Sequence, residues 1–555
     1  MQYTRAAHFA FSRWQTAATT VLLASLLAGC GLPPMPPRTD SFSISEQESR
    51  QTQLGKALAP YEDIHPGKSG IYFLADAYDA FAARALLARA AQRTLDVQYY
   101  IWRNDTTGHL LLDELLNAAD RGVRVRLLLD DGGTGGMDTI LAALDQHPNL
   151  EVRLFNPFAQ RTPKAIGYVT DFSRTQRRMH NKSYTVDSAA SIVGGRNVGD
   201  EYFAATDGVL FADLDVVTTG SVVHDIASGF DRYWNSVSAY PVSAILPPMP
   251  ERAVEQIYQG LHSDVNRPES QAYVEAVRQS RFSQELLAGT LPLEWAQTTL
   301  INDDPAKVLS EVDENELFLS LLAPAVGQPQ QVLEVVSPYF VPTQAGVDAF
   351  EQMRKQGVRV RILTNSLEAT DVAVVHAGYE KYRKPLLKMG VELYEMRREV
   401  NLQPQSAAAK VASKLRAEGK REPSSPAALS GSGTGSSGSP GSSGASLHAK
   451  TFSVDDKQLF VGSFNFDPRS AKLNTELGVV IEHSGMARQV SETLNEHLPR
   501  MAYKVQLDER NRLTWTGQSP QPPHEEQVFS HDPGTSWFKR LLVRVLSWLP
   551  IEGLL

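Results

Sequence analysis

Two stretches of the chain carry the same chemistry-bearing residues at the same spacing. The first holds His180, Lys182 and Asp187, and the second holds His448, Lys450 and Asp455. An asparagine follows each histidine by 17 residues, Asn197 in "GGRN" and Asn465 in "GSFN". In an extended strand, positions i and i+2 point to one face, so each histidine and its lysine project together. Such a pair sets a nucleophile or proton carrier beside a fixed positive charge, both aimed at one anion. The asparagine adds a neutral donor, and the glycine turn before it lets the backbone approach. The copies differ in one detail, Gly195 standing where the second has Ser463. The set suits a phosphodiester. His180, Lys182, Asp187, His448, Lys450 and Asp455 form the catalytic motifs, and Lys182, Asn197, Lys450, Ser463 and Asn465 grip the phosphate. Asp187 and Asp455 are expected to support the motif structurally rather than to touch substrate.

Two motifs this far apart need a scaffold that brings them together, and the flanking sequence repeats accordingly. Helical "DAFAARALLARAAQR" feeds the strand-like "TLDVQYYIW", followed by helical "HLLLDELLNAADRG" and "VRVRLLLDD". The same order returns as "QVLEVVSPYFVP", "AGVDAFEQMRKQG" and "VRVRILTN". Strands alternating with helices of this length predict α/β units around a mainly parallel sheet. "GVRVR" occurs at Gly122 and again at Gly357. A repeat this long is a duplicated domain rather than a solenoid. From Gly122 to His180 is 58 positions and from Gly357 to His448 is 91, so the second copy carries 33 extra residues. A Ser/Gly-rich run over 403–446 accounts for them and reads as a disordered insertion.

The expected layout is a targeting segment over 1–30, a flexible leader over 31–65 and a first domain over 66–245. A helical or irregular connection over 246–315, a second domain over 316–505 and an extension over 506–555 follow. Within that extension, a helix from Ser536 to Leu549 gathers Phe538, Leu541, Leu542, Val545, Trp548 and Leu549 largely on one side. Lys539, Arg540 and Arg544 lie towards the other, which suits either an interfacial helix or one docked on the protein's own core. The chain has 555 residues and a formal net charge of −9, which argues against a nucleic-acid-coating protein. Its one cysteine, Cys30, excludes an intramolecular disulfide and a cysteine-rich metal site. Asp130 and Asp131 end a strand with no other ligand spacing nearby, so turn and cap chemistry is expected of them. His376, alone on a helix, is expected to be structural.

The paired motifs resemble the HKD motifs of the phospholipase D superfamily. That resemblance implies two phospholipase D-like α/β domains related by a pseudo-two-fold, with the active site at their interface. It also implies that His180 attacks the phosphodiester to form a phosphohistidine while His448 serves as acid and base. A nucleophilic histidine needs an acceptor on its far nitrogen. Asp213, 33 residues after His180, and Glu476, 28 after His448, resemble the family's histidine-orienting carboxylates. The chemistry calls for no metal and no cofactor, since two lysines and two asparagines can balance the phosphate charge.

Further segments, among them "GYVTDFSRTQRRMHNKS", "ILTNSLEATDVAVVHAGY" and the closing "LPIEGLL", resemble the C branch of the bacterial cardiolipin synthases. This implies phosphatidyl transfer to the glycerol hydroxyl of phosphatidylglycerol, from a second phosphatidylglycerol or from phosphatidylethanolamine. "LAGC", ending at Cys30, resembles the bacterial lipoprotein box, with Cys30 acylated and the body facing the periplasm from either the inner or the outer membrane. Phospholipids and a membrane surface are therefore the expected partners, and nucleic acid is not. A hydrolytic phospholipase D or an envelope nuclease would use the same residues, and a non-enzymatic lipid-binding lipoprotein would need neither motif intact.

Overall fold

A computed structural model describes residues 31–206, 209–398, 444–519, 525–549 and 552–555. Cys30 and the targeting segment lie outside the described residues, as does the insertion between 399 and 443. The first half supplies strands β1 (Ser69–Leu74), β2 (Thr94–Ile101), β3 (Arg124–Gly133), β4 (Leu150–Phe155), β5 (Ser183–Val186), β6 (Ala190–Gly194), β7 (Val209–Ala212), β8 (Asp215–Gly220) and β9 (Ala239–Pro241). A connecting strand β10 (Glu294–Asn302) follows. The second half supplies β11 (Val332–Val336), β12 (Arg359–Asn365), β13 (Glu392–Met396), β14 (Gly444–Leu447), β15 (Thr451–Val454), β16 (Gln458–Gly462), β17 (Leu477–Glu482), β18 (Ala502–Leu507), β19 (Leu513–Gln518) and β20 (Glu526–Phe529).

The α/β architecture with helix-flanked mixed sheets is present, but its parallel part is smaller than the alternating pattern suggests. Among the described residues, the parallel pairs within these sheets are β2–β3 and β3–β4, and correspondingly β11–β12 and β12–β13. The physical reason lies in the motifs, each of which is a hairpin, β5 with β6 and β15 with β16, and so adds antiparallel strands. Asp187 and Ser188 turn the first hairpin at φ 51° and 48°, and Asp455 and Asp456 turn the second at 53° and 52°. Both turns place consecutive residues in the left-handed region, which the short polar side chain of aspartate tolerates. Gly122 and Gly357 share φ 87° at the two "GVRVR" sites, one more trace of the duplication.

The connection is more ordered than its sequence suggests. The start of β10 pairs with β1, at Ile71 opposite Glu294, and its remainder pairs with β17, at Asn302 opposite Leu477. One strand thus hydrogen-bonds both halves. Beneath it, Ile71, Val193, Val216, Val222 and Ile226 pack against Leu459, Val461, Val479 and Ile481 in a core shared by both copies. Each half also has its own core.

Three boundaries shift. The leader expected to be flexible over 31–65 is held down: Arg38 donates to the carbonyls of Asn235 and Ser236 (2.7 and 2.6 Å). Ser45 and Thr52 then cap the helices Glu46–Ser49 and Gln53–Asp63. The insertion's final residues, from Gly444, form β14, which pairs parallel with β7 from the other half. Finally, the second sheet runs past residue 505 into the meander β18, β19 and β20. In the first two cases the ordering partner is remote in sequence, which is why local composition missed it, and in the third β18 joins the sheet through the distant β13 while β19 and β20 follow by local pairing.

Candidate active site

Each motif histidine is placed by backbone pairing with the other half. His180 N donates to the carbonyl of Thr475 (2.9 Å), and Thr475 N donates to that of Arg178 (3.0 Å). In the mirrored position, His448 N donates to the carbonyl of Ala212 (2.8 Å) just beyond the β7–β14 pair. Thr475 precedes Glu476, and Ala212 precedes Asp213. The carboxylates are therefore exchanged between halves. His180 Nδ1 lies 2.8 Å from Glu476 Oε2, and His448 Nδ1 lies 2.5 Å from Asp213 Oδ2. With each Nδ1–H donating to a carboxylate, Nε2 is left as the basic nitrogen. Both histidines are buried, as are Asp213 and Glu476.

The four members of the phosphate-gripping set other than Ser463 differ in how free they are. Lys182 Nζ donates to its neighbour's carbonyl, His180 O (2.5 Å), and Lys450 Nζ lies 2.8 Å from Nδ1 and 3.1 Å from Nε2 of His448. Asn197 is committed to the structure: its Oδ1 accepts from Ile101 N (3.1 Å) and its Nδ2 donates to Tyr202 Oη (3.0 Å). Asn465 Oδ1 is buried with no hydrogen-bond partner among the described residues. Ser463 departs from its expected place in the phosphate-binding set. Its hydroxyl donates to Glu476 Oε2 (2.5 Å) and accepts from Leu477 N (2.9 Å), so both of its capacities are used behind His180. The Gly195–Ser463 difference now has a cause. A Cβ at residue 195 would lie 2.2 Å from Asp213 Oδ1, whereas the longer Glu476 leaves room for a hydroxyl.

Asp187 and Asp455 likewise do not reach the reacting groups, and their place among the catalytic residues is corrected to a scaffold position. The Asp187 carboxylate accepts from the backbone N–H groups of Gln92, Arg93 and Thr94 (3.0, 2.7 and 2.9 Å). Asp455 accepts from Gln330, Gln331 and Val332 (2.9, 2.8 and 3.0 Å). Each ties its hairpin turn to the entry of the neighbouring parallel strand, β2 or β11. The motif strand is thereby locked in register.

Burial dominates the electrostatics. His180 is pushed well below its ordinary value by burial and then by Lys182 and Lys450. His448 is lowered to about 3 by burial and Lys450, against the opposing pull of Asp213. Burial also brings Lys182 down to about 7, helped by Lys450, and Lys450 down to about 8. Glu476 is raised to about 7 by burial, against Lys182 and Ser463. Burial pushes Asp213 up as well, but His448 and Lys450 outweigh it and hold that carboxyl below the usual range. The lysines of both halves act on the histidines of both halves, as expected of one shared cluster. It presents neutral imidazoles beside lysines whose positive charge a bound anion would favour.

Sequence reasoning missed the aromatic walls. Tyr100 meets the His180 ring edge-on at 5.0 Å, and Tyr202 and Phe211 both stand 5.1 Å from the His448 ring. Their only sequence signal was position: Tyr100 near the end of β2, and Tyr202 five residues after Asn197. It also missed Arg196, which donates to the carbonyl of Asp213 (2.8 Å) while its own backbone N–H donates to Asp215. Asp130 accepts from Arg178, and Asp131 pairs with Arg161 and Lys164, so both are held in ion pairs. Buried His376 accompanies Arg383 in a network with Glu395 and Asp532. A cleft of about 630 Å³ between the halves reaches Asp213, with Tyr72, Phe73, Val336 and Leu494 in its walls. Among the described residues no helix is long and apolar enough to cross a membrane.

The geometry agrees with relationships along nearly the whole chain. The family model described as "Cardiolipin synthase, PLD-like domain" matches residues 85–234, 322–413 and 430–498. "Cardiolipin synthase C" of Escherichia coli (strain K12) is 45% identical over 503 residues, covering 91% of this chain and 100% of its own. The "Major cardiolipin synthase" of Bacillus subtilis (strain 168) is 24% identical over 426 residues, or 77% of this chain and 68% of that one. Among solved structures, a phosphatidylserine synthase of Haemophilus influenzae aligns with a TM-score of 0.53 at 13% identity, over 91% of this chain and 100% of that one, a likeness of fold. The chain belongs to the phospholipase D-like cardiolipin synthase family.

Proposed function

We propose that the protein is a phosphatidyltransferase that makes cardiolipin through a phosphohistidine intermediate. The single observation that carries this reading is the pair of buried histidines whose Nδ1 atoms are each tied to a carboxylate of the opposite half. His180 Nε2 attacks the phosphorus of a donor phospholipid, forming a P–N bond. The P–O bond to the headgroup breaks, and His448, which takes up a proton on Nε2 from solvent as the anionic phosphate binds beside it, gives that proton to the departing alkoxide. Phosphatidylglycerol then enters, His448 takes the proton from its glycerol hydroxyl, and that oxygen attacks phosphorus while the P–N bond breaks. Atoms balance: the headgroup alcohol leaves with one proton, and His448 recovers one from the acceptor.

Lys182 and Lys450 neutralise the non-bridging oxygens, and Asn465, the less committed of the two asparagines, adds a donor through Nδ2. Glu476 and Asp213 hold the tautomer and favour the imidazolium form of each histidine as it develops. The buried, aromatic-walled cluster favours a lipid hydroxyl over water as acceptor. The donor is phosphatidylglycerol or phosphatidylethanolamine, and the enzyme works at a membrane surface of the bacterial envelope, with acylated Cys30 as its anchor facing the periplasm.

The test incubates purified protein with phosphatidylglycerol, with and without phosphatidylethanolamine, and identifies products by mass spectrometry. Cardiolipin is expected, and the released alcohol, glycerol or ethanolamine, identifies the donor. Phosphatidic acid as the sole lipid product would overturn the transfer reading in favour of hydrolysis.

A further inference from the structure

The helix Trp537–Leu546 answers its two sequence readings unevenly. It docks on the second half through Val543, which is 1% exposed and packs with Leu367 and Ala377. Leu546 packs half-buried beside it, and the other large apolar side chains of the helix and of the turn that follows stay in solvent. Trp537 is 69% exposed, Phe538 61% and Trp548 77%, with Leu541, Leu542 and Val545 each close to half exposed. An apolar patch this dense, rich in tryptophan and raised on one helix, marks an interaction site.

Its neighbour is polar and mainly cationic. Between this helix and the body lies a cleft of about 650 Å³, lined by Lys384, Arg540 and Arg544. Lys384 and Arg544 are exposed and form no ion pair among the described residues, while Arg540 donates to the carbonyl and hydroxyl of Thr535. The carboxylates in the lining are Glu380 and Asp532, and Asp532 is already spent on Arg383 and His376. Trp537, Leu541 and Trp548 reach the same cleft, so cations and tryptophans share its mouth. Cations under an aromatic apolar ridge complement one surface chemistry, an anionic headgroup with its acyl chains beside it.

We propose that this cleft is a second, non-catalytic site for an anionic phospholipid of the bilayer, its headgroup phosphate held by Lys384, Arg540 and Arg544 and its acyl chains against the exposed face of the terminal helix. The inference rests on the reading of the protein as an enzyme of bilayer lipids and adds where, and by which lipid charge, it engages the surface. Because the site shares no residue with the histidine cluster, occupancy here and turnover there are separable.

The test uses the full chain with vesicles of equimolar phosphatidylcholine and phosphatidylglycerol, the bromine-labelled acyl chains being carried by one lipid or the other. Bromine quenches tryptophan within contact range. Stronger quenching is expected when phosphatidylglycerol carries the label, and Trp537→Phe with Trp548→Phe should remove most of that difference. Lys384→Glu with Arg544→Glu, both at exposed positions, should lower the preference by on the order of tenfold or more. That variant should retain turnover of detergent-dispersed lipid. The same measurement on His448→Ala protein reads the site without chemistry, so a failed catalytic reading would leave this result standing. Equal quenching by the two labels, or a preference that the charge-reversed variant keeps, would overturn the proposal.

Discussion

Glu476→Gln isolates what the exchanged carboxylate does. The replacement is isosteric, and the backbone at 476 stays anchored because its N–H donates to Asp303 Oδ2 (2.9 Å) and its carbonyl accepts from Asp303 N (3.0 Å). Oε2 of Glu476 serves two donors at once, His180 Nδ1–H at 2.8 Å and the Ser463 hydroxyl at 2.5 Å. A glutamine oxygen in place of Oε2 can accept from both, but the negative charge that favours the imidazolium is lost, and the NH₂ then stands at the Oε1 position, 3.1 Å from Nδ1–H, where two donors meet. A charge-assisted hydrogen bond contributes about 1.5–3 kcal/mol, roughly tenfold to a hundredfold in rate, before the donor–donor contact is added. Turnover should therefore fall by about a hundredfold to a thousandfold, mostly in kcat, since Glu476 acts through His180 rather than on the lipid. Recovery of phosphohistidine at His180 after a single turnover should fall in parallel.

Stability should move the other way. Burial raises the folded carboxyl to about 7 from an ordinary value of 4.5. The folded state thus holds its proton to a higher pH than the unfolded chain, and wild-type stability declines as pH rises from 4.5 through about 7. The full cost above that window is on the order of 3 kcal/mol as an upper bound, and glutamine escapes it. Denaturant titrations at pH 5 and pH 8 should show the variant gaining on the wild type at the higher pH. The acidic limb of the wild-type rate profile near pH 7 should also be absent from the variant. Wild-type turnover in Glu476→Gln would refute the orienting role, and an unchanged stability difference between the two pH values would refute the buried-charge account.

Two further substitutions separate chemistry from scaffold. Gly195→Ser copies the second half's residue into the first, yet its Cβ would meet Asp213 Oδ1 at 2.2 Å and push the carboxylate away from His448. Turnover should fall about as far as in Asp213→Ala, and a fully active Gly195→Ser would refute the packing explanation of the asymmetry. Asp187→Ala removes the acceptor of three backbone N–H groups at the entry to β2 and leaves a non-glycine residue at φ 51°. A loss of about 2–4 kcal/mol is expected in denaturant unfolding, with kcat per folded molecule nearly unchanged. A large loss of kcat in the folded variant would return Asp187 to the catalytic set.

Much of this protein was legible from residue order alone. The duplicated motifs, the α/β alternation, the shared phosphate chemistry and the family all follow from patterns whose range is a strand, a helix or a short turn. Even the supporting role of Asp187 and Asp455 lay within reach, because two residues at a hairpin tip must adopt left-handed backbone and aspartate tolerates it. What the sequence could not decide was anything set by a partner far along the chain. His180 finds its carboxylate 296 residues away, and His448 finds its own 235 residues back, because each motif segment pairs with a backbone segment of the other half. Ser463 reads as a phosphate ligand until Glu476 fills the space behind it, and the leader reads as flexible until Arg38 reaches the carbonyls of residues 235 and 236. The terminal helix shows an apolar stripe in either setting, and only packing reveals that Val543 alone is fully buried while its tryptophans remain in solvent. Periodicity records which faces are apolar. Which surface covers them is a property of the assembled chain.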